Sequence, residues 1–69
     1  MKNKKMIKLR VDYNLTQEAA ADAMDVSPAT YRQVEAGLRT GSHSFWVKFQ
    51  AAFMIPKSEM WEYQEGGGE

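Results

Sequence analysis

Apolar residues recur at helical spacing along this 69-residue chain, in short segments separated by polar or helix-breaking residues. In the first segment Met6, Leu9 and Tyr13 stand at i, i+3 and i+7, and Arg10 falls on the same face. This spacing is typical of one side of an α-helix. Asn14 follows, and because asparagine tolerates the left-handed conformation that often ends a helix, we expect the first helix to end there.

Two further short helices are predicted in the middle of the chain. Thr16 is a good N-cap, and the alanine-rich segment 17–24 favours a second helix that another helix can approach closely. Ser27 and Pro28 start a third helix, as an N-cap followed by proline at the first helical position. Gly37 is expected to end this third helix.

The C-terminal half is predicted to form a fourth helix and a short fifth one. Ser44 is the predicted cap of the fourth helix, and Pro56 follows its end. Ser58 is predicted to cap the fifth helix, which carries Trp61. We expect Trp61 and the aromatic face of the fourth helix to belong to the core. The residues of that face, at i, i+3 and i+7, are Trp46, Phe49 and Phe53.

These elements, and the lack of any strand pattern in the sequence, predict an all-α fold with a single domain. We expect the domain to span residues 1–63 and a flexible tail of glycine and glutamate to follow at residues 64–69. A chain this short buries only about 60% of the surface that its unfolded form exposes. Its core is therefore marginal, and dimerisation would help to stabilise it.

The composition excludes several kinds of chemistry. Without cysteine the chain forms neither disulfides nor thiolate metal sites. It has no apolar stretch long enough to cross a bilayer and no signal-peptide core, so we expect it in the cytoplasm. His43 is the only histidine, and the sequence shows no nucleophile–base pair and no phosphate-cradling glycine loop. We therefore expect no enzyme activity, no cofactor and no metal.

Nine basic and nine acidic side chains give the chain a formal net charge of zero. Nucleic-acid-binding proteins usually carry a basic surplus, so the sum does not argue for such a partner. The two signs are separated along the chain, and without its acidic end the chain is mildly basic. The basic cluster is Lys2, Lys4, Lys5, Lys8 and Arg10, and the acidic one is Glu59, Glu62, Glu65 and Glu69.

The second and third helices have the form of a helix-turn-helix, in which a turn of three to four residues joins two short helices. The residues in and around it are Leu15-Thr16-Gln17-Glu18, Ala21, Val26-Ser27, Tyr31, Val34-Glu35 and Gly37. In order and spacing they resemble the phage repressor/Cro family of regulators, also called XRE-like, over about residues 6–61. The resemblance implies a compact four- to five-helix bundle of the lambda-repressor-like DNA-binding type, with the helix-turn-helix at about Thr16 to Glu35.

The resemblance also implies that part of this unit is scaffold. Ala21 stands where the second and third helices cross, and its small side chain permits close contact. In the family, an arginine and a glutamate at the positions of Arg10 and Glu35 form a partly buried ion pair. Because Arg10 is otherwise an unusual residue on an apolar helix face, we interpret both residues as structural.

Recognition is expected from the third helix, about residues 28–36, lying in the major groove with its N-terminal residues at the base edges. Arg32 and Gln33 are the predicted base-reading residues, because arginine pairs bidentately with guanine and glutamine with adenine. Gln17, at the N-terminus of the second helix, is implied to contact a phosphate. The alternative for each is a solvated surface position. The other predicted DNA-binding residues are Ser27, Pro28 and Ala29 near the bases, and Thr30, Arg39, Thr40 and His43 at the DNA backbone.

The leading interpretation is a small transcriptional regulator, a repressor of phage or mobile-element origin, that binds double-stranded DNA. It would act as a homodimer on a pseudo-palindromic operator, with two recognition helices about 34 Å apart. The alternative is a protein-interaction module on the same fold, such as an antitoxin or an anti-repressor-like partner. Three features favour that alternative: the neutral net charge, the small number of base-contacting side chains on the third helix, and the aromatic C-terminal half.

Three residues depart from the family pattern at helix ends and loops. Asp25 occupies a turn position where glycine is commonest, at a modest conformational cost. Gly41 replaces a frequent proline, so the loop before the fourth helix is expected to be looser. Met54 stands where glycine often ends the fourth helix, so that helix is expected to run on or to end with strain. Apolar surface that includes Met54 and Met60 is a candidate dimer interface.

Overall fold

The computed structural model describes residues 2–65, and all regular structure in this range is helical. The all-α fold with four to five helices is confirmed. The second and third helices have the predicted bounds. The helices are α1 (Lys4–Asp12), α2 (Gln17–Met24), α3 (Pro28–Glu35), α4 (His43–Phe53) and α5 (Met60–Gln64), with a 3-10 turn at Lys57–Glu59 before α5.

The C-terminal end of the described range is helical up to Gln64, which is the first residue of the predicted tail. The remainder of that tail from residue 66 onward lies outside the described residues. Within residues 2–65, no helix is long and apolar enough to cross a membrane.

A side chain caps the N-terminus of each of the first four helices. In each case the side-chain oxygen accepts a hydrogen bond from the backbone N–H three residues later, at 3.0–3.1 Å. Such a bond satisfies one of the N–H groups that the first helical turn leaves without a partner. The predicted caps at Thr16 and Ser27 are confirmed. The four capping residues are Asn3, Thr16, Ser27 and Ser42.

The predicted start of α4 at Ser44 is wrong. The cap is Ser42, whose Oγ accepts from the N–H of Phe45, and Ser44 lies inside the first turn. Two serines compete as caps in this segment, and the earlier one lengthens the helix by two residues, His43 and Ser44. Its cap bond goes to the N–H of Phe45, whose side chain is buried in the core.

The expectation for the fifth helix is wrong in two respects. Ser58 does not cap it but lies within the 3-10 turn, which has no side-chain cap. The N–H of Glu59 closes this turn by donating to the carbonyl of Pro56 at 2.9 Å. Trp61 is not a core residue, since 56% of its surface is exposed. The buried face of α5 consists of Met60 and Tyr63, which stand at i and i+3.

Three helices end at a residue other than glycine in the left-handed conformation. Asn14 follows α1 with φ 59°, as predicted, and Asp25 follows α2 with φ 60°. Met54 follows α4 with φ 54°, so this helix ends with strain and does not run on. A side chain in this conformation costs roughly 1–2 kcal/mol. The Met54 side chain is 86% exposed and gains little packing in return.

The centre of the core is aromatic, and the predicted buried face of α4 is confirmed. The Phe49 ring is fully buried, and its centroid lies 5.1–5.3 Å from those of Trp46, Phe53 and Tyr63. Ring pairs at this separation and inclined to one another stabilise a core beyond the area that they bury. The α4 face thus joins α5 to the rest of the bundle.

The loop between α3 and α4 is attached to α4, which is contrary to the looser loop expected from Gly41. The indole Nε1 of Trp46 donates to the carbonyl of Thr40 at 3.0 Å. Gly41 has φ 82°, and a Cβ at this position would lie 2.8 Å from the same indole nitrogen. Glycine therefore lets the loop backbone approach the tryptophan closely.

Asn3, which no sequence pattern indicates as important, joins three parts of the fold. Its side chain caps α1 and also donates to the carbonyl of Tyr63 at 2.7 Å. Its backbone N–H donates to the carbonyl of Glu35 at 2.7 Å. Asn3 is almost fully buried, and it fixes the start of α1 against the ends of α3 and α5.

Candidate nucleic-acid interface

α2 and α3 form a tight pair around a three-residue turn, Asp25 to Ser27. The N–H groups of Asp25 and Val26 donate to the carbonyls of Asp22 and Ala21, at 3.1 and 3.0 Å, and thereby close the C-terminus of α2. Ala21 is fully buried, and its small side chain allows the close contact expected where the two helices cross. The turn therefore holds α3 at a fixed angle to α2.

Glu35 is the centre of a hydrogen-bond network that links α1, α2 and α3. Arg10 donates through Nε to Glu35 Oε2 at 2.9 Å and through Nη2 to Oε1 at 3.4 Å. Gln17 Nε2 donates to Oε1 at 2.8 Å, and the Tyr31 hydroxyl donates to Oε2 at 2.9 Å. The arginine and glutamate that the resemblance implies as an ion pair are thus in contact, and two further donors complete the shell of the carboxylate.

The network compensates a charge that is otherwise costly to bury. Only 3% of the Glu35 surface is exposed, and an unpaired carboxylate at such a place is strongly unfavourable. The hydrogen bond to Glu35 raises the pKa of Arg10. Burial raises the pKa of Tyr31, and its hydrogen bond to Glu35 raises it further, so the hydroxyl keeps its proton and donates. Arg10 is in addition bound through Nη1 to the carbonyl of Leu15 at 2.9 Å.

Gln17 lies at the first position of α2, where a phosphate contact is predicted. One hydrogen of its amide is committed to Glu35, and the side chain is half-buried. The Thr16 hydroxyl accepts from the N–H of Ala19, and the N–H groups of Gln17 and Glu18 precede it in the same turn. The positive end of the helix dipole therefore favours an anion here, and the phosphate contact of Gln17 stays a prediction.

The exposed side of α3 brings together most of the predicted base-contacting residues. Arg32 and Gln33 are exposed, whereas Tyr31 and Val34 on the opposite side are buried. Arg32 Nη1 lies 3.4 Å from Glu18 Oε2 of α2, and both side chains are largely in solvent. The other exposed residues at this surface are Ser27, Pro28 and Ala29.

The residues predicted to contact the DNA backbone lie around this surface in different environments. The Thr30 hydroxyl is within 2.8 Å of the Ser27 hydroxyl, which itself caps α3. Arg39 Nη1 donates to Gln33 Oε1 at 3.2 Å. Thr40 is exposed but is bound through its carbonyl to the core. His43 is the exposed first residue of α4, and in the described part of the chain no group of side chains could hold a metal ion.

The helix-turn-helix and the loop after it carry more acidic than basic side chains, whereas the whole chain is neutral. Two arginines, Arg32 and Arg39, stand between Thr16 and Thr40 against four acidic residues. Of the four, Glu35 is buried and paired, and the other three are exposed on or beside α2. The acidic residues are Glu18, Asp22, Asp25 and Glu35. Any attraction for phosphate must therefore come from helix N-termini and from a few specific cations.

A helix-turn-helix family model matches residues 6–41, which is more than half of the chain and contains α2, α3 and the loop that follows. The chain therefore belongs to the helix-turn-helix family of Cro/C1 or XRE-like type, and the lambda-repressor-like fold follows from this membership. The family consists of DNA-binding regulators that are not typically enzymes. No curated protein and no solved structure matches the chain.

Proposed function

We propose that the chain is a sequence-specific transcriptional repressor that places α3 in the major groove of double-stranded DNA. The observation that carries the proposal is the division of α3 into a buried side and an exposed side that presents Arg32 and Gln33. An exposed second helix of this unit is the element that enters the groove. Such a regulator, of phage or mobile-element origin, works in the cytoplasm, where its operator is accessible.

Contacts at this surface would divide into two kinds. Arg32 reads guanine, and Ser27, Pro28, Ala29 and Gln33 lie against the base edges. The predicted backbone contacts fix the register without reading the sequence. Their residues are Gln17, Thr30, Arg39 and Thr40.

A homodimer is the proposed binding unit, because a palindromic operator requires two copies of α3 about 34 Å apart. The protein measures about 24 Å in each direction, so two copies side by side can span one turn of DNA. Trp61 and Met54 are exposed apolar residues available to an interface. Met60 is buried and does not contribute to that surface.

Selection of binding sites from random double-stranded DNA tests the proposal directly. We expect an enriched pseudo-palindrome with half-sites separated by one helical turn. The affinity should fall steeply between about 50 and 200 mM salt, because each phosphate contact releases counterions. A chain that enriches no motif, or binds with an affinity insensitive to salt, is not a sequence-specific repressor.

The acidic surface of α2 favours a second candidate function, a protein-interaction module on the same fold. Glu18, Asp22 and Asp25 would repel phosphates but could pair with a basic protein partner. This function predicts no enriched DNA motif in the selection above. It also predicts that substitutions on the exposed side of α2 weaken binding to a protein partner and create no preference for any DNA sequence.

A further inference from the structure

Gln33, the second predicted base-reading residue, is held from the loop that follows α3. Arg39 Nη1 donates to Gln33 Oε1 at 3.2 Å. The backbone N–H groups of Leu38 and Arg39 both donate to the Gln33 carbonyl, at 2.9 and 3.3 Å. The loop is also attached to the core through the bond from Trp46 to Thr40. The backbone of Arg39 is therefore fixed relative to Gln33 from both sides.

The hydrogen bond from Arg39 orients the side-chain amide of Gln33, because it fixes the position of the oxygen relative to the nitrogen. A guanidinium has five donors and no acceptor, so only the amide oxygen can face it. With Oε1 directed at Arg39, the amide presents its Nε2 hydrogens as the group available on the exposed surface. The bidentate contact to adenine needs Oε1 and Nε2 together on one base edge, because adenine offers one donor and one acceptor there. The oxygen has two lone pairs, of which Arg39 occupies one, so adenine would have to share the oxygen with Arg39.

We propose that Arg39 is a positioning residue that makes Gln33 a reader of keto bases, guanine or thymine, and not of adenine. Guanine presents N7 and O6 in the major groove, and thymine presents O4, all of which are acceptors. Adenine presents one acceptor, N7, beside an amino donor that repels the Nε2 hydrogens, so it is the weaker partner for an amide whose oxygen is engaged. Cytosine presents an amino donor that the Nε2 hydrogens cannot bind. This inference rests on the proposed function, since it concerns the base preference at one position of the operator.

Two possible roles of Arg39, contact with a phosphate and orientation of the Gln33 amide, have different consequences. If Arg39 only bound a phosphate, its removal would weaken all sequences by the same factor and leave the base preference unchanged. If it orients the amide, its removal frees Oε1 and the preference at the Gln33 position moves toward adenine. The ratio of affinities for different bases at that one position therefore separates the two roles.

The test is site selection on the full chain and on three variants, followed by affinity measurements on the selected site with each base at each position. Gln33→Ala identifies the position that Gln33 contacts, because the preference there is lost. Arg39→Met removes the donors but keeps the length of the side chain. Arg32→Met is the matched control, which removes a guanidinium from the same surface and should alter a different position. Circular dichroism melts verify that each variant is folded.

We expect the unmodified chain to prefer guanine or thymine over adenine at the Gln33 position by at least about fivefold. In Arg39→Met this ratio should shift toward adenine by a similar factor, and Arg32→Met should leave it unchanged. An adenine preference in the unmodified chain, no position sensitive to Gln33→Ala, or an unchanged ratio in Arg39→Met overturns the inference alone. Failure of the unmodified chain to select any motif overturns the proposed function and this inference with it.

Discussion

Glu35 is a deeply buried acidic residue, and the four hydrogen bonds that its side chain accepts explain how a marginal core tolerates it. Arg10, Gln17 and Tyr31 come from three different helices and meet at one carboxylate. Each donor loses its own partner if the carboxylate is removed, so the cost is larger than that of one hydrogen bond. The network stabilises the base of the helix-turn-helix without contributing directly to the exposed surface of α3.

Replacement of Glu35 should therefore unfold the protein before it affects recognition. We expect Glu35→Ala to lose about 3–5 kcal/mol of unfolding free energy, because the half-buried Arg10 is left without its charged partner. Urea denaturation followed by circular dichroism measures this loss. Glu62→Ala is the matched control, because it removes a surface carboxylate 3.0 Å from Lys5 and should cost less than about 1 kcal/mol. An alanine variant that melts like the parent and loses only DNA binding would assign Glu35 to recognition.

The Tyr31 hydroxyl makes stability depend on pH in the alkaline range. Its pKa is raised in the folded protein by burial and by the bond to Glu35, whereas the unfolded side chain titrates near 10. The folded state thus holds the proton more tightly, so its contribution is complete below about pH 10 and is lost as the pH rises above that value.

Tyr31→Phe tests this linkage. We expect the variant to be less stable than the parent by about 1.5–3 kcal/mol at pH 7, the usual worth of a hydrogen bond to a charged group. The difference should shrink when urea denaturation is repeated between about pH 9 and 11, because only the parent has the tyrosine. A difference that stays constant over this range would mean that Tyr31 does not govern the alkaline loss.

Helix starts show what local sequence can and cannot predict. The starts of α2 and α3 were predicted correctly because Thr16 directly precedes the alanine-rich segment and Ser27 is followed by proline at the first helical position. At α4 two serines satisfy the same local rule, and only the folded chain shows that the earlier one, Ser42, is the cap. Asn3 was missed because its partners at Glu35 and Tyr63 are distant in sequence, so only the folded chain reveals them.

A pair of serine substitutions checks the start of α4. Ser42→Ala should lose about 0.5–2 kcal/mol, since it removes the cap bond to the N–H of Phe45. Ser44→Ala, inside the first turn, should cost less and can be neutral, because alanine is the better helix former. Thermal melts of the two variants give the comparison. Equal losses would show that the helix has no single preferred start.

The candidate site was predictable as a surface but not as a set of contacts. The spacing of α3 correctly indicated that Arg32 and Gln33 are exposed together. The side-chain pairs of Arg32 with Glu18, Gln33 with Arg39 and Gln17 with Glu35 depend on the angle between elements, which no local pattern specifies. These pairs determine which donors remain available to a ligand.

The whole molecule is neutral but has a basic α1 and an acidic α2. Asp22 lies one turn from Glu18, on the side of α2 that reaches Arg32. Its charge is therefore expected to repel DNA phosphates at moderate distance, and to suppress binding to sequences that make no specific contacts.

Asp22→Asn should strengthen binding to all DNA sequences alike, by about 1.4- to 5-fold at low salt, the effect of one exposed charge. The gain should vanish at high salt, where exposed charges are screened. Fluorescence anisotropy with specific and random duplexes, at low and at high salt, measures the gain in affinity and its loss on screening. Glu59→Gln, which removes an acidic charge before α5, is the control. It should change the affinity for neither the specific nor the random duplex. A gain confined to one sequence would contradict a long-range effect.

The bond between Trp46 and Thr40 gives the protein an internal optical reporter. This buried indole touches the loop that carries Arg39, whereas Trp61, the second tryptophan, is largely in solvent. Indole emission depends on the polarity around the ring, so the two residues fluoresce at different wavelengths. In a Trp61→Phe background the emission would come from Trp46 alone. It would report in real time, without an attached dye, whether this loop stays bound to Trp46 when the protein binds a partner.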